Sequence, residues 1–135
     1  MIVKRVQGDV FKAAQKHIAF AVNTEGFNDS GFAGQVSSRF WSELENTGGN
    51  RLGEILSHQA GGKTFHALVC HELKVDGWSQ TPQLVESCLN SIPGNDEIAV
   101  VLMGSGLIGQ MGGANTQAIL AAMNRSSKRV HVYTR

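Results

Sequence analysis

The chain has 135 residues, of which 41% are hydrophobic and 17% charged, and its formal net charge is +1. This composition suits one globular domain and is too apolar for a disordered chain. The small net charge does not favour nucleic acid or a membrane surface as the main partner. No apolar stretch approaches the roughly 18 residues of a membrane-spanning helix, and the first residues have a strand pattern rather than that of a signal peptide.

The first half of the chain predicts two strands, a helical turn and a helix. Residues 2–7 alternate and predict a half-buried strand, and residues 10–16 have room for one helical turn. Residues 17–23 form an apolar run, which predicts a central strand covered on both faces. After a turn-rich loop, a helix ending near residues 47–49 is predicted from four apolar residues at four-residue spacing: Phe32, Val36, Phe40 and Leu44.

The second half predicts four strands and two helices. Residues 54–59 and 63–72 predict a hairpin joined at Gly61-Gly62, with apolar residues on both faces of the second strand. A helix begins near Thr81-Pro82. A buried strand (97–103), a helix from Asn115 and a last strand (129–134) follow. Because a hairpin interrupts an alternating pattern, we expect a three-layer α/β/α sandwich with a mixed six-stranded sheet, forming a single domain over residues 1–135.

The two cysteines, Cys70 and Cys88, fall in a predicted strand and a predicted helix and lack the spacing of a metal site. We expect both to be reduced core residues of a cytoplasmic protein. Neither a metal nor another cofactor is predicted.

A glycine-rich loop separates the strand 97–103 from the helix that follows. Strand, glycine loop and helix together form an arrangement that binds phosphate through backbone N–H groups. Gly104, Gly106 and Gly109 also match a dinucleotide-binding fingerprint, but the next strand carries no carboxylate and the chain ends with it. A tight turn without a ligand is the third interpretation. We favour phosphate.

A second loop, residues 23–34, also follows a buried strand and is rich in turn-forming residues. Ligands of open α/β sheets bind outside the carboxyl ends of the strands. Two loops that face one crevice suit a diphosphate held from two sides.

Four short motifs in this order resemble the signature of macro domains, over nearly the whole chain. They are Gly8-Asp9-Val10, Ala21-Val22-Asn23, Gly31-Phe32-Ala33 and Gly104-Ser105-Gly106-Leu107. The ending Val132-Tyr133-Thr134 and the Gly61-Gly62 hairpin look most like the small branch that removes terminal ADP-ribose from protein carboxylates, or the related ADP-ribose-1''-phosphate phosphatases.

The resemblance implies a crevice for ADP-ribose or a related nucleotide, with possible ADP-ribosylated protein partners. In that crevice Asp9, beside Val10, accepts a hydrogen bond from the adenine amino group, and Asn23 lies near the distal ribose. One side of the diphosphate is implied to contact Gly31, Phe32 and Ala33. The other side is implied to contact Gly104, Ser105, Gly106, Leu107 and Ile108, with Tyr133 against the adenine.

Each of these residues also has a purely structural interpretation. Asp9 can cap a helix or turn, and Asn23 can bond its own loop backbone. Phe32 can belong to the core, and Tyr133 can pack on the sheet. For the strand histidines His58, His66 and His71, solvation or hydrogen bonding is favoured over metal ligation.

Catalysis is less well supported than binding. Gly26 stands where macro domains commonly have a second asparagine, and Ile108 stands where the terminal ADP-ribose hydrolases have an aspartate. The lysine of that branch would fall near His71-Glu72, so a lysine–aspartate mechanism is not expected. Asn23, Asp29 and His71 are the catalytic candidates that remain. The sequence predicts an ADP-ribose binder and leaves open whether it also hydrolyses ADP-ribose derivatives such as ADP-ribosylated protein or ADP-ribose-1''-phosphate. The alternatives are a noncatalytic ADP-ribose-recognition module and a domain for another nucleotide.

Overall fold

The computed structural model describes residues 1–24, 31–46, 50–71, 81–102 and 113–134. The strands in these ranges are β1 Ile2–Gln7, β2 His17–Asn23, β3 Ile55–Ala60, β4 Lys63–His71, β5 Ile98–Val101 and β6 Val130–Thr134. The α-helices are α1 Gly31–Arg39, α2 Thr81–Ser91 and α3 Gly113–Arg125. Two short 3-10 helices, Val10–Lys12 and Ser42–Asn46, complete the described elements.

The strands form one mixed sheet in the order β1-β6-β5-β2-β4-β3. Every neighbouring pair is parallel except β3 and β4, which form the predicted antiparallel hairpin. β2 lies inside the sheet between β5 and β4. Its buried residues point to both faces, as its uninterrupted apolar sequence predicted. The predicted fold class is confirmed.

The two faces of the sheet carry different cores. One face is mainly aliphatic and packs Leu68, Ile98 and Val130 against Leu89 of α2 and Met123 of α3. The other face carries the aromatic residues. The rings packed in or against this second core are Phe11, Phe20, Phe32, Phe40, Trp41, Phe65 and Tyr133. Helices on both faces give the sandwich its three layers.

The helix predicted from Phe32 through Leu44 is interrupted in the structure. The carbonyl of Val36 accepts hydrogen bonds from the N–H groups of both Phe40 and Trp41, at 2.8 and 2.9 Å. This closes the last turn of α1 at Arg39. Trp41 is buried and stacks on His58, with ring centroids 5.1 Å apart, and the chain continues as a 3-10 helix. The predicted strand 97–103 is likewise shorter, because β5 ends at Val101.

Both cysteines are free and buried, as predicted. Burial raises the pKa of the Cys88 thiol to about 11 and raises the pKa of Cys70 further. Both thiols therefore stay protonated and unreactive at neutral pH. None of the described helices is long and apolar enough to cross a membrane.

Candidate functional site

The carboxyl ends of β1, β6, β5, β2 and β4 lie along one edge of the sheet, because these strands are mutually parallel. Backbone hydrogen bonds continue past the strand ends there. Gly8 N–H donates to the carbonyl of Thr134 at 2.8 Å, and Leu102 N–H donates to that of Tyr133 at 3.0 Å. The predicted residues Asp9, Asn23 and Tyr133 thus belong to one edge, which we call the carboxyl edge.

Asp9 caps the 3-10 helix that follows β1. Its Oδ1 accepts a hydrogen bond from the N–H of Phe11 at 3.0 Å. The structural role considered for this residue is therefore present. An ionised carboxylate has acceptor capacity at both oxygens, so a cap made through Oδ1 is compatible with a second acceptor role at Oδ2.

Aromatic stacking ties the segment after β1 to the beginning of α1. The Phe11 ring stacks on the Phe32 ring with centroids 5.0 Å apart, and the Phe32 and Phe20 rings meet in a T-shaped contact with centroids 5.4 Å apart. The Arg39 guanidinium lies 4.4 Å from the centre of the Phe11 ring. These contacts hold Asp9 and the N-terminus of α1 in one packed unit.

The other candidates near this unit are partly core residues. The Val10 side chain is 5% exposed and belongs to the aromatic-face core. Phe32, Ala33 and Tyr133 are half-buried and pack against the same core. Each of them combines core packing with a partly accessible surface at the carboxyl edge.

Asn23 ends β2 and is 7% exposed, with polar contacts of its own. The pairing register shifts next to it: Val22 pairs with Val69, whereas Asn23 pairs with His71. Cys70 is therefore an extra residue in β4, which makes this a bulge in a parallel pair. Bulges occur preferentially near functional sites because they redirect side chains at a strand end.

Several predicted residues lie outside the described residues. They are Asp29 and the glycine-loop residues Gly104, Ser105, Gly106, Leu107 and Ile108. The His71 backbone belongs to β4, while its side chain is not described. Their roles stay predictions.

A second polar arrangement lies toward the amino ends of β2 and β5, and the sequence analysis did not predict it. His17 Nε2 is 3.1 Å from Asp96 Oδ2, and His17 Nδ1 is 2.9 Å from His66 Nε2. His66 Nδ1 is in turn 2.8 Å from Ser57 Oγ. The predicted hairpin register contained one usable signal, because it sets Ser57 opposite His66.

The mixed six-stranded sheet with helices on both faces matches the macrodomain fold. The macrodomain of Mycobacterium tuberculosis DarG superposes with a TM-score of 0.71 at 18% identity, over 100% of this chain and 98% of that one. A macrodomain protein from Streptomyces coelicolor gives 0.68 at 18%, over 100% and 99%. Thermosipho africanus DarTG in complex with ADP-ribose gives 0.66 at 15%, over 97% of this chain and 41% of that chain. No family model and no curated protein matches the sequence. The chain therefore has the macrodomain fold.

Proposed function

We propose that this protein binds ADP-ribose in a crevice along the carboxyl edge. One observation carries the proposal: Asp9, Asn23 and the start of α1 share that edge in a macrodomain fold, although they are far apart in the sequence. A solved structure of the same fold contains ADP-ribose.

The chemistry of the edge suits the parts of this ligand. Asp9 has acceptor capacity for the adenine amino group at Oδ2, because its cap uses Oδ1. Tyr133, half-buried at the end of β6, offers a flat surface beside the base. Asn23 can donate to and accept from ribose hydroxyls through its amide.

The diphosphate lies between two backbone segments in this proposal. On one side is the N-terminus of α1, which begins at Gly31, with Phe32 and Ala33 in its first turn. Helix N-termini bind phosphate through N–H groups and the helix dipole. On the other side is the glycine-rich segment from Gly104 to Ile108.

Thermal shift with ADP-ribose, ADP, AMP and ribose 5-phosphate tests the proposal. A ligand at about 100 times its Kd stabilises the folded state by roughly 2.7 kcal/mol. We expect ADP-ribose to raise the melting temperature more than AMP at equal concentration, since only ADP-ribose fills both sides of the crevice. Equal shifts for the two ligands would contradict a diphosphate site.

Two substitutions at Asp9 separate the cap from the binding role. Asp9→Asn keeps an oxygen to accept from Phe11 N–H, whereas Asp9→Ala removes the cap as well. If Asp9 binds adenine, Asn weakens ADP-ribose by about 1–3 kcal/mol without lowering the melting temperature of the free protein. Normal ADP-ribose affinity in Asp9→Asn, with a loss of stability only in Asp9→Ala, would assign Asp9 to the cap alone.

Hydrolysis of ADP-ribose derivatives is the second candidate function, supported by the bulge that pairs Asn23 with His71 at the carboxyl edge. ADP-ribosylated protein and ADP-ribose-1''-phosphate are the substrates to test, with Asn23→Ala, His71→Ala and Asp29→Ala as variants. Turnover that falls in Asn23→Ala by more than the loss of ADP-ribose affinity explains would identify an enzyme. Binding without turnover of either substrate would identify a noncatalytic recognition module.

A further inference from the structure

Four side chains form a continuous hydrogen-bonded chain across the sheet, away from the carboxyl edge. In spatial order it runs from Asp96, just before β5, through His17 on β2 and His66 on β4 to Ser57 on β3. The two outer members are exposed, with the Asp96 side chain at 78%. His66 between them is 3% exposed. A surface hydroxyl is thus connected to a surface carboxylate through two imidazoles, of which that of His66 is buried.

One proton arrangement satisfies every link while both histidines are neutral and Asp96 is ionised. The Ser57 hydroxyl donates to His66 Nδ1, His66 Nε2–H donates to His17 Nδ1, and His17 Nε2–H donates to Asp96. In this arrangement His66 Nδ1 is a proton acceptor 2.8 Å from Ser57 Oγ. That distance is the one expected between a serine nucleophile and its base.

We propose that Ser57 is a nucleophile activated by His66 through His17 and Asp96, and that it accepts the acyl group of small activated carboxylic esters. This site is separate from the proposed ADP-ribose crevice. His66 is its general base, and His17 and Asp96 are positioning residues.

His17 can take up the positive charge that buried His66 accommodates poorly. Burial, and secondly the neighbouring His17, lower the pKa of His66 to about 4, which makes it a weak base on its own. When His66 Nδ1 takes the serine proton, its Nε2 proton can pass to His17 Nδ1. The positive charge then rests on His17, which is hydrogen-bonded to the Asp96 carboxylate. A carboxylate stabilises an imidazolium in this position, as in serine hydrolase triads.

The hairpin also orients a backbone donor beside the hydroxyl. Gly61 and Gly62 have φ of +59° and +78°, so the flanking pair Ala60–Lys63 is the hydrogen-bonded kind. Pairs alternate along the ladder, so Ser57–His66 is a non-hydrogen-bonded pair, in which side chains approach more closely. The N–H of Ser57 therefore points away from β4. Since β3 is the last strand of the described sheet, that N–H faces the open side, where it can stabilise an oxyanion.

The reaction balances in two steps. Ser57 Oγ attacks the ester carbonyl, its proton moves to His66, and the alcohol leaves with that proton returned to it. Water then attacks the acyl–Ser57 ester, again giving a proton to His66, and releases the carboxylic acid with Ser57 regenerated. No redox partner or further reactant is needed.

The test uses p-nitrophenyl acetate, with acyl-protein detected by intact mass and peptide mapping. We expect one acetyl group on Ser57, formed at least tenfold faster than any acetylation of Ser57→Ala. Ser91→Ala is the matched control, because Ser91 is an exposed serine whose hydroxyl donates to a local carbonyl within α2, that of Ser87. Ser57→Ala should leave ADP-ribose-induced melting shifts unchanged. Equal acetylation of wild type and Ser57→Ala, or adducts only at other residues, would overturn the proposal.

The positioning role of Asp96 is tested by a conservative pair. Asp96→Asn should slow Ser57 acetylation at least fivefold and alter its rate–pH profile, while Asp96→Glu should restore most of the rate. Because Asp96 is exposed, both variants should fold, which circular dichroism checks. Unchanged rates in Asp96→Asn and in His17→Gln, with native spectra, would show that Ser57 is not activated through this chain.

Discussion

The candidate site at the carboxyl edge and the hydrogen-bonded chain from Asp96 to Ser57 are formed by different kinds of chemical groups. At the carboxyl edge the candidate site relies on backbone groups, a helix N-terminus and packed aromatic rings around Phe11 and Phe32. Toward the amino ends of β2 and β5, side-chain hydrogen bonds link four residues in a row: Asp96, His17, His66 and Ser57. The first arrangement suits a large ligand that many weak contacts hold. The second fixes a few polar atoms and suits a proton transfer.

The carboxyl edge and the hydrogen-bonded chain from Asp96 to Ser57 both include residues of the interior strand β4. The largest expected loss of stability comes from substitution of Phe65 in this strand. This ring is fully buried, adjacent to His66, and its centroid lies 5.0 Å from that of Phe40 and 6.4 Å from that of Phe11. Phe65→Ala should lower the free energy of unfolding by about 3–5 kcal/mol, measured by urea denaturation. A loss below about 1 kcal/mol would mean that neighbouring side chains fill the space left by the Phe65 ring. The two sites would then depend less on this ring.

The next largest effect is the pH dependence of the free energy of unfolding that arises from His66. His66 has a pKa of about 4 in the folded protein, below the 6.5 of an unperturbed histidine, and its partners are Ser57 and His17, with Asp96 beyond. The unfolded chain therefore binds the proton first as the pH falls. Stability should be complete above about pH 6.5 and decline toward pH 4, by up to roughly 3 kcal/mol.

Urea midpoints between pH 7.5 and 4 measure this decline, and His66→Leu supplies the control. Leucine cannot titrate, so the variant should lose the part of the pH dependence that belongs to His66, whatever its absolute stability. Parallel pH profiles for wild type and His66→Leu would show that the decline comes from elsewhere in the molecule.

A smaller effect tests the hairpin that sets Ser57 opposite His66. Gly61 and Gly62 both have positive φ, so alanine at either position should cost about 1–2 kcal/mol. A Cβ at Gly61 would lie 3.0 Å from Cε1 of Phe40, whereas one at Gly62 meets nothing within 4 Å. Gly61→Ala should therefore lower the melting temperature more than Gly62→Ala. The reverse order would mean that Phe40 moves aside at no cost.

Local patterns explain why the sheet and the carboxyl edge could be predicted. The apolar run 17–23 and the Gly61-Gly62 turn each specify their element without help from distant residues. Asp9 follows one predicted strand and Asn23 ends another, so parallel strands bring them to one edge. The end of α1 was wrong in the prediction because it depends on Trp41 packing against His58, 17 positions away, which four-residue spacing does not report.

Only one link of the chain from Asp96 to Ser57 had a local signal, namely the hairpin register that sets Ser57 opposite His66. For His66 the sequence predicted either solvation or hydrogen bonding, and the structure shows hydrogen bonds to His17 and Ser57, partners that were not identified. His17 and Asp96 are 79 positions apart and meet only because β2 pairs with β5 in one particular register. A one-residue shift would move His17 to the opposite face of the sheet. Register of that kind is a property of the whole sheet.

The smallest effect on stability should come from Asp96→Asn. This substitution separates the contribution of the Asp96–His17 hydrogen bond to the free energy of unfolding from its contribution to the reactivity of Ser57. Asp96 is 78% exposed on its side chain and makes its bond to His17 at the surface, where water and salt screen the attraction. We expect the free energy of unfolding at pH 7 to change by less than about 1 kcal/mol, and 1 M NaCl to reduce the difference further. The same substitution should slow Ser57 acetylation, because the relay needs the carboxylate when His17 takes the proton. A loss of several kcal/mol in Asp96→Asn would instead mean that these side-chain hydrogen bonds mainly hold the strands together. The exposed Asp96–His17 bond would then contribute more to stability than the bonds of buried His66.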